Sequence, residues 1–286
     1  MSTKQRGSGW SIKLVFNLYK LFGYKFIYFL MYPVTFFYFI FASNVKKSLK
    51  IYYQHLGLKF NSLVYFEHLR VFAICLVDRF ISKHDPDSYT FEYEQKDSSM
   101  KIMDSKSILL FSHFGGWASS SSSPVTKNKI NIIMQEVILD SIKDIENAID
   151  KKVSNINIID QSLGQISVSI EIANALSNNE VIAIMADRPT HDKYKFKTKF
   201  FGKSAFFNRN PFKISYKTKT PILCCFVIHK GLQHYKVETI KLDLDFSLKE
   251  NDAIEIAIKE YVNLFEDILI QYPNQWFNFY NFWEKE

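Results

Sequence analysis

A histidine followed by two glycines is the segment whose residue types are best suited to chemistry. His113 follows the apolar run Ile108–Phe111, and Gly115 and Gly116 come just after it. Imidazole is the side chain best suited to proton transfer near neutral pH. Glycines let a substrate or the start of a helix approach the backbone closely. The segment Ser112–Ala118 therefore predicts a general base at a pocket rim or, alternatively, a structural histidine in a turn.

A second polar pair ends another buried run. Asp187 and Arg188 follow the predicted strand Glu180–Met185. Active sites of open α/β sheets gather at the carboxyl ends of strands, so this pair and His113 would line one cleft. The Arg188 guanidinium offers a planar fork for a phosphate or carbonyl oxygen. The simpler interpretation of Asp187-Arg188 is a local ion pair that caps the strand.

Basic residues are concentrated after this pair. Lysines occupy every second position at Lys193, Lys195, Lys197 and Lys199. In an extended chain all four would share one face, with aromatic residues mostly on the other. Such a stripe suits anionic headgroups or an acidic protein, and a solvated strand face explains it equally well. A turn at Phe201-Gly202-Lys203 and then Arg209 lead into a helix from Pro211, whose N-terminus would suit an anion.

The elements that must position these residues alternate between strands and helices. Predicted strands are Tyr89–Tyr93, Ile108–Phe111, Lys129–Gln135, Asn155–Ile159, Glu180–Met185, Thr198–Phe201, Ile222–Ile228 and Tyr235–Ile240. Predicted helices are Lys46–Leu58, Leu63–Ser82, Asp140–Ile149, Ile166–Leu176, Pro211–Lys217 and Asn251–Gln271. The serine run Ser119–Ser123 fits a linker or a helix N-terminus. This order predicts an α/β fold with a mixed central sheet flanked by helices.

An uncharged aromatic segment precedes all of these elements. Phe26–Ala42, with the apolar residues before it, approaches the ~20 residues of a spanning helix, and Pro33 would kink it. Lysines flank it at Lys13, Lys20, Lys25, Lys46, Lys47 and Lys50. A spanning helix, a deeply embedded interfacial helix and a buried helix of a soluble core all remain possible. We favour membrane attachment, with residues 1–60 as anchor and juxtamembrane helix and residues 61–286 as a cytoplasmic catalytic domain.

The composition of the chain indicates which classes of binding partner it favours. The net charge of +7 favours membrane surfaces, acidic proteins or phosphorylated substrates. Nucleic acid is disfavoured because no zinc finger, RNA-binding strand or arginine-rich arm is present. The three cysteines have no metal or disulfide spacing, which fits a reducing compartment. Walker, GxSxG, HExxH and dinucleotide motifs are also missing from the sequence. The oligomeric state stays open.

Several segments in order resemble one family, the lysophospholipid acyltransferase superfamily, in particular its lipid A late-acyltransferase branch. The apolar N-terminal segment resembles the family's membrane anchor, and Tyr65–Phe80 resembles the helix before its catalytic strand. Ser112–Trp117 (SHFGGW) is similar to the family's His-Phe-Gly-Asn-Trp block, and Ile182–Pro189 is similar to its strand ending in Asp-Arg-Pro. Phe200–Ala205 resembles its Phe-Phe-Gly-x-x-Ala turn, and Pro273–Trp276 resembles its Pro-x-Gln-Trp motif. Their shared order makes the resemblance fairly specific.

The resemblance implies transfer of a fatty acyl group to a lipid-linked hydroxyl or amine at the bacterial inner membrane. The donor would be a thioester of acyl carrier protein or coenzyme A, used as a co-substrate with no further cofactor. His113 would be the general base, and Arg188 would contact the acceptor or the oxyanion. The implied catalytic residues are His113, Asp187 and Arg188, and the implied substrate-binding residues are Gly115, Gly116, Trp117, Phe201, Gly202, Lys203 and Arg209.

One position departs from the family pattern of His-x4-Asp/Glu. The acidic position falls at Ala118. The missing carboxylate would orient the imidazole and stabilise its protonated form. Either another carboxylate such as Glu136 or Asp187 substitutes, or the protein is a weak or inactive lipid-binding relative, or the acid has been removed deliberately. We favour the first of these explanations, in which another carboxylate takes the place of the missing acid.

Overall fold

The computed structural model describes residues 9–122, 126–134 and 155–283. Within these ranges it contains the strands β1 (Thr90–Tyr93), β2 (Ser107–Phe111), β3 (Ile130–Met134), β4 (Ile156–Asp160), β5 (Val181–Met185), β6 (Lys195–Phe200), β7 (Lys203–Asn208), β8 (Ile222–Gly231) and β9 (His234–Leu242). The α-helices in the same ranges are α1 (Gly9–Phe41), α2 (Ser43–His55), α3 (Ser62–His84), α4 (Lys96–Met103), α5 (Gln165–Ser177), α6 (Asn210–Thr218) and α7 (Glu250–Gln271).

Seven of these strands form one mixed sheet in the order β1-β9-β8-β2-β5-β3-β4. β2 pairs in parallel with both β5 and β8, while β8 and β9 form an antiparallel pair. The predicted α/β fold with a mixed central sheet is therefore confirmed. The predicted helix Asp140–Ile149 lies outside the described residues, and α4, in a polar stretch for which no helix was predicted, is an additional element.

The two faces of the sheet are covered differently. α7 packs on one face, where Tyr261 and Phe265 are fully buried in the same core as Leu110 and Phe226. On the other face, α1 and α3 cover the β8–β9 side, where Ile27 and Val237 belong to one buried cluster. Toward β2, β5 and β3 this second face carries an open cavity. The cavity begins where β2 ends.

β6 and β7 form a separate antiparallel hairpin. Lys195, Lys197 and Lys199 occupy the exposed face of β6, and Phe200 on the opposite face is buried. Lys193 lies in a 3₁₀ turn before the strand, so the predicted face of four lysines is reduced to three. The serine run forms a short 3₁₀ turn at Ser120–Ser122, and the residues after it are not described.

α1 is the one helix in the described ranges that is long and apolar enough to cross a membrane, over Lys13–Phe41. Only 22% of an 18-residue apolar stretch of this helix is buried, whereas the core helix of a soluble domain is mostly buried. The helix is interrupted at Gly23, where φ is 74°, and Pro33 lies inside the helix beyond this break. The break at Gly23 was not predicted from the sequence, and it is possible there because glycine adopts a left-handed φ with little strain.

Candidate active site

The sheet register brings His113 and Asp187 together. β2 and β5 are parallel neighbours, with Phe111 opposite Met185, so the residues two positions beyond each strand emerge side by side. His113 Nδ1 lies 2.9 Å from Asp187 Oδ1. The His113 backbone N–H also donates to Asp187 Oδ2, at 3.2 Å. One carboxylate thus holds both the ring and the backbone of the histidine.

The surroundings of Asp187 favour its ionised form. Its carboxylate is fully buried, accepts a hydrogen bond from Trp276 Nε1 at 3.1 Å, and lies 4.0 Å from Arg188 Nε. Burial by itself would raise the pKa of Asp187, but His113, Arg188 and the indole N–H outweigh it and lower that pKa below its usual value. A carboxylate only accepts hydrogen bonds, so His113 Nδ1 carries a proton and Nε2 holds the lone pair of the neutral ring.

Arg188 is fixed beside this pair. Its Nη2 donates to the Phe277 carbonyl at 2.7 Å, and its guanidinium lies 5.3 Å from the Tyr280 ring centroid. The side chain is 28% exposed and lines the same cavity as His113. The predicted ion pair with Asp187 therefore exists at 4.0 Å, but His113 is the closer partner of that carboxylate.

A cavity of about 810 Å³ opens at His113. This volume is typical of sites that bind a small molecule. Its apolar floor is the open sheet face, with Leu109, Phe111, Ile132, Ala183, Met185, Cys225 and Val237 among the lining residues. Cationic residues line it as well, at Arg79, Lys83, Lys96 and Arg188. The cavity therefore combines an apolar floor with basic walls. In the described ranges, no group of three His, Cys, Asp or Glu side chains is placed to hold a metal ion.

The two glycines after His113 allow other parts of the protein to approach the turn. A Cβ on Gly115, whose φ is 54°, would lie 1.9 Å from the Val227 carbonyl oxygen. A Cβ on Gly116 would lie 2.2 Å from the Tyr235 ring. The Gly116 N–H donates to the Val227 carbonyl at 2.8 Å. The structure thus explains both glycines by close packing on β8 and β9, and their binding of substrate stays a prediction.

Alanine at Gly115 tests this packing. Gly57 is the matched control, because its φ of 70° is also left-handed but open space surrounds its Cβ position. We expect Gly57→Ala to cost roughly 1–2 kcal/mol of backbone strain. Gly115→Ala should cost ~1–3 kcal/mol more, because it also overpacks the turn. Thermal unfolding in detergent measures the difference, and equal losses in the two variants would contradict the packing argument.

One family of known proteins matches the part of the chain that carries this site. Residues 98–285 match the model of the bacterial lipid A biosynthesis acyltransferases. The chain belongs to this family. A search of curated proteins finds no match. The matched range includes His113, Asp187 and Trp276, and the resemblance inferred from the motifs is confirmed.

Against the pattern of this acyltransferase family, the structure shows which carboxylate is close to the histidine. Ala118 lines the cavity and supplies no acid. Asp187 lies within hydrogen-bond distance of His113 Nδ1, so it occupies the place that an orienting acid needs. Glu136, the other proposed substitute, lies outside the described residues. The geometry therefore favours Asp187 as the partner of His113.

The remaining predicted binding residues divide into two groups. Trp117 lines the cavity, with its ring centroid 6.2 Å from that of His113. Phe201 and Gly202 instead form the turn of the β6–β7 hairpin, and Lys203 begins β7. The Phe201 N–H donates to the Glu266 carboxylate of α7. Arg209 donates to Asn251 Oδ1 at 2.6 Å. The structure does not bring this second group to the cavity, because the hairpin packs on the α7 side.

Three residues near the C-terminus contact the site although none of them was predicted to take part in it. Trp276 Nε1 donates to Asp187, as described above. The Phe277 N–H donates to the His113 carbonyl, and the Gln275 carbonyl accepts from the Gly115 N–H, both at 2.8 Å. The signal for them was their place in or beside the family's Pro-x-Gln-Trp motif. The motif acts here by holding the His113 turn.

A second buried carboxylate, that of Asp78, is connected to the His113 turn through Tyr235. Asp78 of α3 accepts hydrogen bonds from the hydroxyls of Tyr24 at 2.7 Å, Tyr89 at 2.8 Å and Tyr235. Tyr235 is the residue whose ring lies against Gly116. The cluster therefore connects α1 and α3 to the packing of the His113 turn.

Asp78 also gives the fold a pH dependence. Burial raises its pKa from 3.8 to about 6, although the three tyrosine hydroxyls lower it in part. The folded state then holds this proton more tightly than the unfolded chain, so its contribution to stability is full below about pH 4 and falls as the pH rises to about 6. We expect Asp78→Asn to remove this fall, seen as a smaller loss of Tm between pH 4.5 and 7. An unchanged pH profile would contradict it.

Proposed function

We propose that this acyltransferase moves a fatty acyl group from a thioester, of acyl carrier protein or coenzyme A, to a hydroxyl or amine of a lipid or glycolipid. The observation that carries this proposal is the His113–Asp187 pair at the opening of a cavity with an apolar floor. The pair supplies a base, and the floor suits a hydrocarbon chain. The reaction needs no cofactor beyond the thioester co-substrate.

The proposed steps follow from the orientation of His113. Nε2 takes the proton from the acceptor hydroxyl or amine as its oxygen or nitrogen attacks the thioester carbonyl. Arg188 stabilises the negative charge that forms on the carbonyl oxygen. The intermediate collapses with cleavage of the carbon–sulfur bond, and the thiolate receives the proton from His113. Asp187 stabilises the imidazolium between these two steps, and the products are the acylated lipid and a free thiol.

Basic residues suit the anionic groups of both substrates. Arg79, Lys83 and Lys96 line the cavity, where they would face a phosphate on the acceptor or donor. Lys195, Lys197 and Lys199 form the exposed face of β6, which suits an acidic carrier protein. We place the protein on the bacterial inner membrane with the domain on the cytoplasmic side, where acyl thioesters are made and where buried free cysteines such as Cys224 stay reduced.

The test is direct transfer by the purified protein in detergent. The chain is mixed with an acyl thioester and total envelope lipid, and released thiol and new acylated lipid are measured together. Equal amounts of both are expected. Thiol release without an acylated lipid, or no release at all, would contradict the proposal. Lipid analysis of a strain that lacks the gene then identifies the acceptor by the acyl chain that it loses.

A second candidate function rests on Ala118, which replaces the family's acid. In that case the chain is a catalytically silent lipid-binding protein. It would release no thiol with any acceptor but would bind anionic vesicles in a salt-sensitive way. We prefer the enzyme because Asp187 already contacts the imidazole.

A further inference from the structure

The second half of α1 has one face fixed to the domain. Tyr24, Ile27, Met31 and Thr35 follow helical spacing and are all buried. The contacts run antiparallel along α3: Tyr24 reaches Asp78 near one end, and the Phe39 ring lies 5.2 Å from the Tyr65 ring near the other. This half of the helix therefore lies along the domain over most of its length.

The opposite face of α1 is an exposed, mostly aromatic stripe. It consists of Phe22, just before the break at Gly23, and five residues at helical spacing after it, each between 41% and 68% exposed: Phe26, Phe29, Phe36, Phe37 and Ile40. Neighbours on the stripe contact one another, with Phe22 and Phe26 ring centroids 4.8 Å apart. An exposed apolar surface of this extent marks contact with a membrane or a protein.

Charge decides between these two partners. Lys20 before the stripe, Lys25 near its start, and Lys46, Lys47 and Lys50 after it are exposed. A helix with aromatic residues on one side and lysines beside them is typical of peripheral helices on anionic lipid. A protein partner would need no lysines at both ends of the stripe.

The contacts of α1 with α3 oppose a spanning orientation. α3 carries the Glu67–Arg70 ion pair at 2.8 Å, and Arg70 Nη1 also donates to the Tyr28 hydroxyl of α1 at 3.0 Å. On its other side α3 packs on the sheet, where Cys75 and Tyr235 share one core. A spanning α1 would carry this ion pair and part of the sheet into hydrocarbon, which is costly.

We propose that α1 is an interfacial helix that lies in the plane of one leaflet of an anionic bilayer and does not cross it. The aromatic stripe enters the lipid, and the opposite face stays on α3. The first half of α1 reaches the end of α3, where the Tyr19 hydroxyl donates to Asp85 at 2.6 Å. Arg79 and Lys83, in the last turns of α3, line the cavity, so this orientation brings one wall of the cavity close to the membrane surface.

The depth of the stripe tests this orientation. Single cysteines at positions 22, 29, 36 and 40 carry spin labels, since Cys75, Cys224 and Cys225 are buried. In vesicles of phosphatidylethanolamine and phosphatidylglycerol, we expect all four labels at one shallow depth, ~5–10 Å below the headgroups. A depth that increases to the bilayer centre along the helix and then decreases would establish a spanning helix and overturn the proposal.

Binding to the same vesicles supplies a second test. Phe29→Gln with Phe36→Gln should weaken binding on the order of 100-fold, since two exposed aromatic rings leave the lipid. The matched control is Leu163→Gln with Ile166→Gln, at 59% and 79% exposure outside α1, which should leave binding unchanged. Equal effects of the two pairs would overturn the proposal. Neither experiment measures acyl transfer, so failure here leaves the proposed function standing.

Discussion

Replacing His113 with alanine is expected to abolish acyl transfer while the fold is retained. His113 is the group placed to take the acceptor's proton, and general bases contribute about 10²–10⁴-fold in rate. Its side chain is 29% exposed and lines the open cavity, so its removal enlarges that cavity and does not unpack the core. Asp187 keeps its hydrogen bonds from Trp276 and from the backbone of residue 113. Thiol release from the acyl thioester measures the loss.

The control is His191→Ala. His191 is an exposed histidine that does not line the cavity among the described residues. This variant should keep wild-type turnover, and both variants should bind anionic vesicles as the wild type does. Turnover of His113→Ala within tenfold of wild type would refute His113 as the base. Loss of turnover in both variants would point to a general effect of the substitutions instead.

Much of the fold could be predicted because its strands are short apolar runs. β2, β5 and β8 lie in the middle of the sheet, where both faces need apolar residues, and such runs are visible in sequence. α4 was missed because its segment, KDSSMKIM, is polar and buries only Ser99 and Met103. No helical stripe of apolar residues marked it. The break in α1 at Gly23 was also missed, because nothing in the sequence around this glycine shows that it takes a φ of 74°.

The part of the site that lies at the ends of strands could be predicted from the sequence. His113 and Asp187 each follow a strand by two residues, and the parallel register makes them neighbours. Trp276 and Tyr235 could not be placed in the same way. Their contacts with Asp187 and Asp78 join residues 89 and 157 positions apart and depend on how the C-terminal segment and β9 pack. The family motif at Phe201–Lys203 was predicted to bind substrate, but in the structure Phe201 contacts α7 through Glu266.

Replacing Asp187 with asparagine should lower turnover about 10³–10⁴-fold without unfolding the protein. Asparagine is nearly isosteric, but its amide can donate a hydrogen bond to His113 Nδ1. The proton of the neutral ring would then sit on Nε2, which could no longer act as the base. The equivalent change in the triad of a serine protease costs ~10⁴ in rate, and that loss sets the scale expected here. Asp192→Asn, on a fully exposed aspartate, is the control and should retain activity.

Turnover of Asp187→Asn, measured as a function of pH, shows whether Asp187 orients the His113 imidazole or only stabilises the fold. The pKa of Asp187 is lowered in the folded protein, so its contribution to stability is present above about pH 4 and is lost only as the pH falls further. Near neutral pH the wild type therefore has an ionised Asp187 throughout. If Asp187 orients the imidazole, Asp187→Asn loses turnover at every pH from 6 to 8 while its thioester binding is retained. If wild-type turnover survives the substitution, the carboxylate beside His113 is structural, and the missing acid at Ala118 has no substitute at this position.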